Sequence, residues 1–292
     1  MFAIVMDSTS SISVAELNKM GIDVVSLTVN FGEESFVDGV DMTPEQFYVK
    51  MAEYMPQGLP KTACPAPGAF EKAYRDAAAA AEIEGVLVMT ISAGLSECYS
   101  AAHVAAEAVA ADGIRVEVID SLSTSQMLAV MANKAVQMRD AGATLDEAVA
   151  HLQRMVQESR TFFALDGMEN LVKGGRVGRA VGLAASALHI KPILEIEKAD
   201  GKVGTAGKAR GVKGLLKDTA ALVVEADEGI EGGSCTFFSH ANAVDRVAEI
   251  ADAIEAAGIE CDRAKVGWIG SVIGTHSGEG GVGVSVVPKA LL

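Results

Sequence analysis

The chain predicts an α/β fold of two α/β domains. The first is a mainly parallel sheet flanked by helices, and the second a smaller mixed sheet with helices. Two observations carry this. Short apolar β-type runs alternate with alanine-rich helical runs almost to the end of the chain. Thirty glycines against seven prolines suit the many tight strand-to-helix turns of such an alternation. A chain of 292 residues is one large or two modest domains, long enough to bury roughly three quarters of its unfolded surface.

In the first half the strands are Phe2–Met6, Asp23–Val29, Val86–Ile91 and Arg115–Ile119. Helices are expected over Val14–Met20, Thr43–Met55, Ala69–Glu82, Tyr99–Ala111, Ser123–Ala141 and Thr144–Glu158. The last opens on Thr144 with Glu147 three residues later, the spacing of a capping box. Near Ser159 the character shifts to a strand over Thr161–Leu165, then the loop Lys173-Gly174-Gly175-Arg176-Val177-Gly178 and an apolar helix over Arg179–His189. The extended run Lys191–Ile196 leads into Ala199-Asp200-Gly201-Lys202, a hairpin turn because Asp-Gly tolerates positive φ. Helix Val212–Ala226, strand Ser234–Ser239, helix Val244–Ala257 and strand Lys265–Gly270 complete the reading. A boundary near residue 160 therefore separates an N-terminal domain, 1–160, from a C-terminal domain, 161–292.

Lys and Arg number 24 against 39 Asp and Glu, a formal charge of −15 with no long basic run, which disfavours nucleic acid and anionic membrane surfaces. No apolar stretch reaches the ~20 residues of a membrane span, and the N-terminus lacks the basic region of a signal peptide. The four cysteines, at 64, 98, 235 and 261, form no Cys-x-x-Cys pair and have no His at ligand spacing, so neither a metal site nor a disulfide scaffold is expected. A reducing cytoplasm is the simplest location.

Ligands of open α/β sheets bind at the carboxyl ends of strands. Five turns put small hydroxyls or glycines at such ends: Asp7–Ser11, Lys61–Gly68, Ser92–Ser96, Asp120–Ser125 and Gly270–Gly278. Any one Ser, Thr or Asp there also serves as an ordinary cap or turn residue, the reading preferred for Asp7 and Asp120. Together they suit a carboxylate held by neutral donors better than a triphosphate, which recruits Lys or Mg²⁺. Lys173–Arg176 is the one compact cationic loop, and His276 is the one histidine set beside such donors. No P-loop or kinase loop signature is present, and the first strand is followed by Asp-Ser-Thr and not by Gly-x-Gly-x-x-Gly, so any nucleotide must come from a partner.

These loops resemble the DegV family, and the resemblance spans nearly the whole chain. Its motifs are Asp7-Ser8-Thr9, Asp38-Gly39-Val40-Asp41, Thr62-Ala63-Cys64-Pro65-Ala66-Pro67-Gly68 and Ile91-Ser92-Ala93-Gly94-Leu95-Ser96, followed by Lys173–Gly178, Ile190-Lys191-Pro192-Ile193 and Ile273–Gly278. The resemblance implies a DegV-like fold that binds a long-chain fatty acid and acts as the acyl-carrying subunit of a bacterial fatty acid kinase. It implies that Thr62, Ser92, Ala93, Gly94 and Ser125 hold the carboxylate, that Arg176 and His276 flank the head group, and that Arg210 belongs to the kinase-facing surface. Ala93 lacks a hydroxyl of the family pattern, so Ser92, Ser125 or the Gly94 N–H must compensate, or the head group is held differently. Ala63, Cys64 and Ala66 make the first loop less polar than the pattern.

On this reading the chain is a binding subunit and no enzyme by itself, with no cofactor or metal beyond the bound lipid. Its partners are the fatty acid and an ATP-dependent kinase subunit, with transient membrane contact and no nucleic acid. The run Val181–Leu188 is read as a core helix, or else as a movable lid that meets membrane. The alternative function is a lipid-binding sensor or structural module with no kinase partner.

Overall fold

The computed structural model describes residues 1–80, 83–180, 182 and 190–292. The first part runs β1 (Ala3–Asp7), α1 (Val14–Lys19), β2 (Ile22–Val25), β3 (Thr28–Phe31), β4 (Glu34–Val37), α2 (Pro44–Tyr54), β5 (Lys61–Ala63) and α3 (Pro67–Ala80). It continues through β6 (Val86–Thr90), α4 (Cys98–Ala110), β7 (Val116–Asp120), α5 (Gln126–Asp140) and α6 (Leu145–Glu158). The second comprises β8 (Arg160–Ala164), α7 (Glu169–Lys173), β9 (Ile190–Ile196), β10 (Val203–Arg210), α8 (Gly211–Glu228), β11 (Ser234–His240), α9 (Val244–Ala256), β12 (Glu260–Trp268), α10 (Ser271–Ser277) and β13 (Val282–Pro288).

The first sheet is parallel, in the order β2-β1-β6-β7. Its strands are apolar on both faces because helices cover both. Val5, Val86 and Val88 point to Phe70 and Tyr74 of α3 and to Ala102 and Ala105 of α4. Ile4, Met6, Leu87 and Met89, one residue out of phase, face Met127 and Met131 of α5 and Leu152 and Met155 of α6. That same core takes in Cys235 and Phe237 of β11 and Val287 of β13, so α5 and α6 are held between the two large sheets. On the far face of the second sheet, Phe162, Phe238 and Val284 pack on Leu215 and Val223 of α8 and on Val247 and Ile250 of α9. The layers alternate helix, sheet, helix, sheet, helix.

The second sheet has six strands, β10-β9-β8-β13-β11-β12, antiparallel except for the β11–β12 pair. It is larger than the first, not smaller as the sequence suggested. Two strands make the difference: β10, the second arm of the expected hairpin, and β13, a fully buried strand between β8 and β11 that the sequence reading left without an element. The expected Asp23–Val29 strand is likewise two, β2 and β3, which lie in different sheets. The break falls at Leu27, whose N–H donates to Ser8 Oγ and whose carbonyl accepts from the Asp38 N–H, turning the chain into the small antiparallel sheet β4-β3-β5.

Local signals read from the sequence recur in the structure. The Thr144–Glu147 capping box is formed, as are two more, at Ser13–Glu16 and Thr43–Gln46. The Asp200-Gly201 turn closes the β9–β10 hairpin, with Gly201 at φ +66°. The expected Arg179–His189 helix begins as a 3-10 turn, Gly178–Ala180. Most of its remaining length lies outside the described residues, as does most of the Val181–Leu188 run.

Candidate functional site

A cavity of about 260 Å³ lies between the carboxyl ends of the first sheet and the β8–β9–β10 face of the second. One wall is a satellite core of the second half: Phe163 and Leu165 from β8 and the residue after it, Leu171 from α7, Leu194 and Ile196 from β9, and Val203 from β10. Leu27, Ile91, Leu95, Val272 and Ile273 extend the apolar lining from the other side. The polar lining comprises Thr62, Ser96, Glu97, Thr124, Arg176, His276 and Ser277. The cavity is thus an aliphatic slot with a hydroxyl, imidazole and guanidinium end.

Thr62 and His276 are 214 residues apart in sequence, yet Thr62 Oγ1 and His276 Nε2 are 2.9 Å apart. Thr62 is brought there by the short strand β5, which pairs Thr62 with Val29 of β3. His276 sits in the last turn of α10, whose Thr275 carbonyl accepts from Asn170 Nδ2 of α7 at 2.9 Å. The His276 ring lies so close to the backbone of Gly174 that a Cβ there would overlap Nδ1, which explains one glycine of the Lys173–Gly178 loop. This loop follows the carboxyl end of α7 and leads into the 3-10 turn Gly178–Ala180, and Gly175 takes φ +71° within it.

Burial, followed by the nearby Arg176 charge, pushes the His276 pKa down to about 4. The imidazole is therefore neutral at pH 7. Its Nδ1 is buried with no hydrogen-bond partner among the described residues. Arg176 is exposed at the mouth, braced by its own hydrogen bonds to the carbonyls of Gly174 at 2.8 Å and Leu95 at 3.4 Å. In the tautomer that carries the ring proton on Nε2 and donates it to Thr62, the Thr62 hydroxyl proton is free to point at an anion. The arrangement offers one neutral donor and one fixed positive charge beside an apolar slot.

Other residues expected at the head group adjoin the lining in the chain, Ser92 after Ile91, Gly94 before Leu95 and Ser125 after Thr124. Ser92, Ala93, Gly94 and Ser125 are not among the described lining residues, and their polar groups are engaged. Ser92 Oγ donates to the Gly201 carbonyl at 2.7 Å, the Ala93 N–H to Asp120 at 3.2 Å, and the Gly94 N–H to Ser92 Oγ at 3.3 Å. A Cβ on Gly94 would overlap the Gly201 backbone, so this turn is a clasp between the first sheet and the β9–β10 hairpin. Ser125 holds φ +57°, and its hydroxyl lies 2.7 Å from Ser11 Oγ and 3.1 Å from Ser239 Oγ, tying three segments together. Arg210 is exposed at the end of β10, where α8 begins.

The two strand-end acids hold turns. Asp7 accepts from the Thr9 N–H and hydroxyl and from the Ile91 N–H, and burial lifts its pKa to about 6 despite those bonds. Asp120 accepts from the N–H groups of Ala93 and Leu122. The sequence suggests Cys64 as a lining residue, and the structure places it there; the separate place of Thr124 and the neighbourhood of Cys64 and Cys98 escaped the reading. Thr124 lines the cavity, one position before the Ser125 that was expected there, and its buried Oγ1 has no partner among the described residues. Cys64, also in the lining, has Cys98 as a thiol neighbour. Hydroxyl-rich turns were the available signal for Thr124, but nothing in them separates a lining hydroxyl from a bracing one.

Comparison with known proteins matches this architecture. A family profile described as "uncharacterised protein, DegV family" matches residues 1–289. A DegV domain-containing protein of Clostridium acetobutylicum is 32% identical over 288 residues, covering 97% of this chain and 96% of the relative. Among solved structures, a fatty-acid-binding DegV family protein from Thermus thermophilus superposes with a TM-score of 0.88 at 29% identity, over 98% of this chain and 99% of that one. A stearic-acid-binding protein from Eubacterium ventriosum does so with a TM-score of 0.88 at 26% identity, over 99% of each chain. By sequence over its whole length, and by fold, this chain belongs to the DegV family.

Proposed function

We propose that this chain binds a long-chain fatty acid in the cavity and presents the carboxylate to the catalytic subunit of an ATP-dependent fatty acid kinase. The observation that carries the reading is the cavity itself, an aliphatic slot ending at the Thr62–His276 pair beside Arg176. Fatty acid binding by the Thermus and Eubacterium relatives supports it.

The division of labour follows from magnitudes. Burying a methylene is worth roughly 0.8 kcal/mol, so a sixteen-carbon tail supplies on the order of 10 kcal/mol before ordering costs. A buried carboxylate without partners loses several kcal/mol, so Thr62 and the free Thr124 hydroxyl mainly offset that penalty and set direction. Shape along Phe163, Leu194 and Ile196 then selects the tail, and the polar end aims one oxygen outward.

In the transfer step that oxygen attacks the γ-phosphorus of the partner's ATP, the bond to the β-bridging oxygen breaks, and acyl phosphate and ADP result. Arg176 at the mouth places positive charge beside the transferred group, and the rest of the chain supplies in-line positioning. The chain is thus a binding subunit working in the cytoplasm, with Arg210 on the kinase-facing surface and the lipid held between the two halves, 1–160 and 161–292.

Mass spectrometry of lipid extracted from the purified chain tests binding, and a single long-chain acid at near one per chain is expected. Adding the chain to a fatty acid kinase catalytic subunit with ATP and oleate tests presentation. Acyl phosphate formation supports the carrier. Tight lipid binding with no turnover supports a sensor in its place, and absence of any bound acid refutes both.

A further inference from the structure

We propose that Asp38 is a positioning residue for the head-group site, its buried carboxylate joining the segment that carries Thr62 to the helix that carries His276. None of the motif Asp38-Gly39-Val40-Asp41 is among the described lining residues of the cavity. Asp38 is nonetheless only 4% exposed, a carboxylate set deep in the molecule.

Each of its oxygens holds one serine. Ser8 Oγ, just after β1, donates to Asp38 Oδ2 at 2.6 Å, and Ser271 Oγ, on the first residue of α10, donates to Oδ1 at 2.5 Å. Two paths lead from this grip to the site. On one side the Asp38 N–H donates to the Leu27 carbonyl at 2.9 Å, and the Leu27 N–H donates to Ser8 Oγ at 3.1 Å. Leu27 lines the cavity and immediately precedes β3, whose Val29 pairs with Thr62 of β5. On the other side α10 runs from Ser271 through the lining residues Val272 and Ile273 to His276. Thr275 Oγ1 donates back to the Ser271 carbonyl at 2.9 Å, so the turn that ends at His276 hangs on the residue that Asp38 grips.

Packing alone does not set this alignment. Leu27, Val29, Phe47, Tyr48 and Val272 share one hydrophobic cluster, which holds the two paths together without direction. The Thr62–His276 contact, at 2.9 Å, is lost if either side shifts by about 1 Å, so a directional link is needed. A carboxylate supplies it because both of its oxygens accept. Asparagine has the same shape but one acceptor oxygen, so one of the two serine hydroxyls loses its acceptor.

The first test needs no lipid. In the ligand-free chain the His276 ring is followed by proton–nitrogen correlation NMR, with its signals assigned through His276→Gln. Asp38→Asn should move the His276 ring nitrogens in the same sense as Thr62→Val, which removes their partner. His103 on α4 and His151 on α6 should stay in place. Ser271→Ala should give a smaller shift in that sense, and it decides the matter if Asp38→Asn does not fold. A His276 signal unmoved in the folded variants overturns the proposal, whatever happens to their stability in urea.

The effect on affinity rests on the fatty-acid reading. Displacement of a fluorescent long-chain acid should show affinity about fivefold weaker in Asp38→Asn, the equivalent of one ordinary hydrogen bond. With Thr62→Val already present the further loss should stay below about twofold, because both changes act on one pair. Equal factors in the two backgrounds overturn action through Thr62 and His276. A parent chain that binds no long-chain acid refutes the fatty-acid reading alone, and the ring spectra then decide the place of Asp38.

Discussion

Replacing Thr62 by Val removes one hydroxyl and keeps the shape of the side chain. In the ligand-free chain it breaks the 2.9 Å contact with His276 Nε2, and His276 Nδ1 already has no partner. Thr62 is only half-buried on a three-residue strand, so the loss of stability should be near the ~1 kcal/mol of an ordinary hydrogen bond. In the complex the same hydroxyl donates to a carboxylate, and such bonds to charged groups are worth about 1.5–3 kcal/mol. The apolar wall is untouched, so the tail contribution of on the order of 10 kcal/mol remains. Affinity for a long-chain acid should therefore fall about 10- to 150-fold, not vanish. Displacement of a fluorescent fatty acid measures this, with urea unfolding of the ligand-free variant as the control. An affinity within twofold of the parent, with unaltered stability, would remove Thr62 from the head-group site. A loss of several kcal/mol of stability would make it a structural residue instead.

Arg176→Ala should lower the rate of acyl phosphate formation by about 100-fold, the loss typical of one charge-stabilising donor, with lipid affinity within about threefold. Equal loss of both would contradict its place at the mouth. Gly94→Ala should cost about 1–3 kcal/mol in urea unfolding because the new Cβ meets Gly201 backbone, and a change below about 0.5 kcal/mol would deny the clasp. His276, held at about 4 against an ordinary 6.5, gives a pH dependence. Below pH 6.5 the unfolded chain takes a proton that the folded chain refuses until about pH 4. Its contribution is thus full above 6.5 and is lost as pH falls to 4, by about 3 kcal/mol at most. Asp7, lifted from 3.8 to about 6, works in the opposite sense over that range, its contribution being full below 3.8 and lost as pH rises to about 6. The comparison is therefore between the parent and His276→Gln, and coincident pH profiles would refute the histidine assignment.

Much of this was legible in the sequence. Val86–Ile91 and Phe2–Met6 read as buried strands because both faces of the sheet are covered, so they run apolar with Thr90 as the one polar residue. Asp200-Gly201 and the Thr144–Glu147 box are local devices whose chemistry needs no tertiary context. Strand β13 was missed although Val282–Pro288 is strongly apolar, because Gly283, Ser285 and Pro288 break its pattern and only the partners β8 and β11 make it a central strand. At the site, Thr62, Arg176 and His276 meet as one group, and no spacing in the chain reveals a contact across 214 residues. The serines were ambiguous for a physical reason. A hydroxyl after a strand can brace a turn, join two sheets or receive a ligand, and Ser92, Ser125 and Thr124 differ only in what the folded chain puts opposite them.

Sandwiching α5 and α6 between the two large sheets has a consequence for how cargo travels. Met127, Leu152 and Phe237 belong to one continuous hydrophobic mass, so the halves cannot part like jaws without breaking the main body of the molecule. Traffic must go through a local opening in the shell, governed by a barrier of its own. Substitutions that weaken the molecule as a whole should leave residence time alone, and those that loosen a rim should shorten it while the melting temperature stays put.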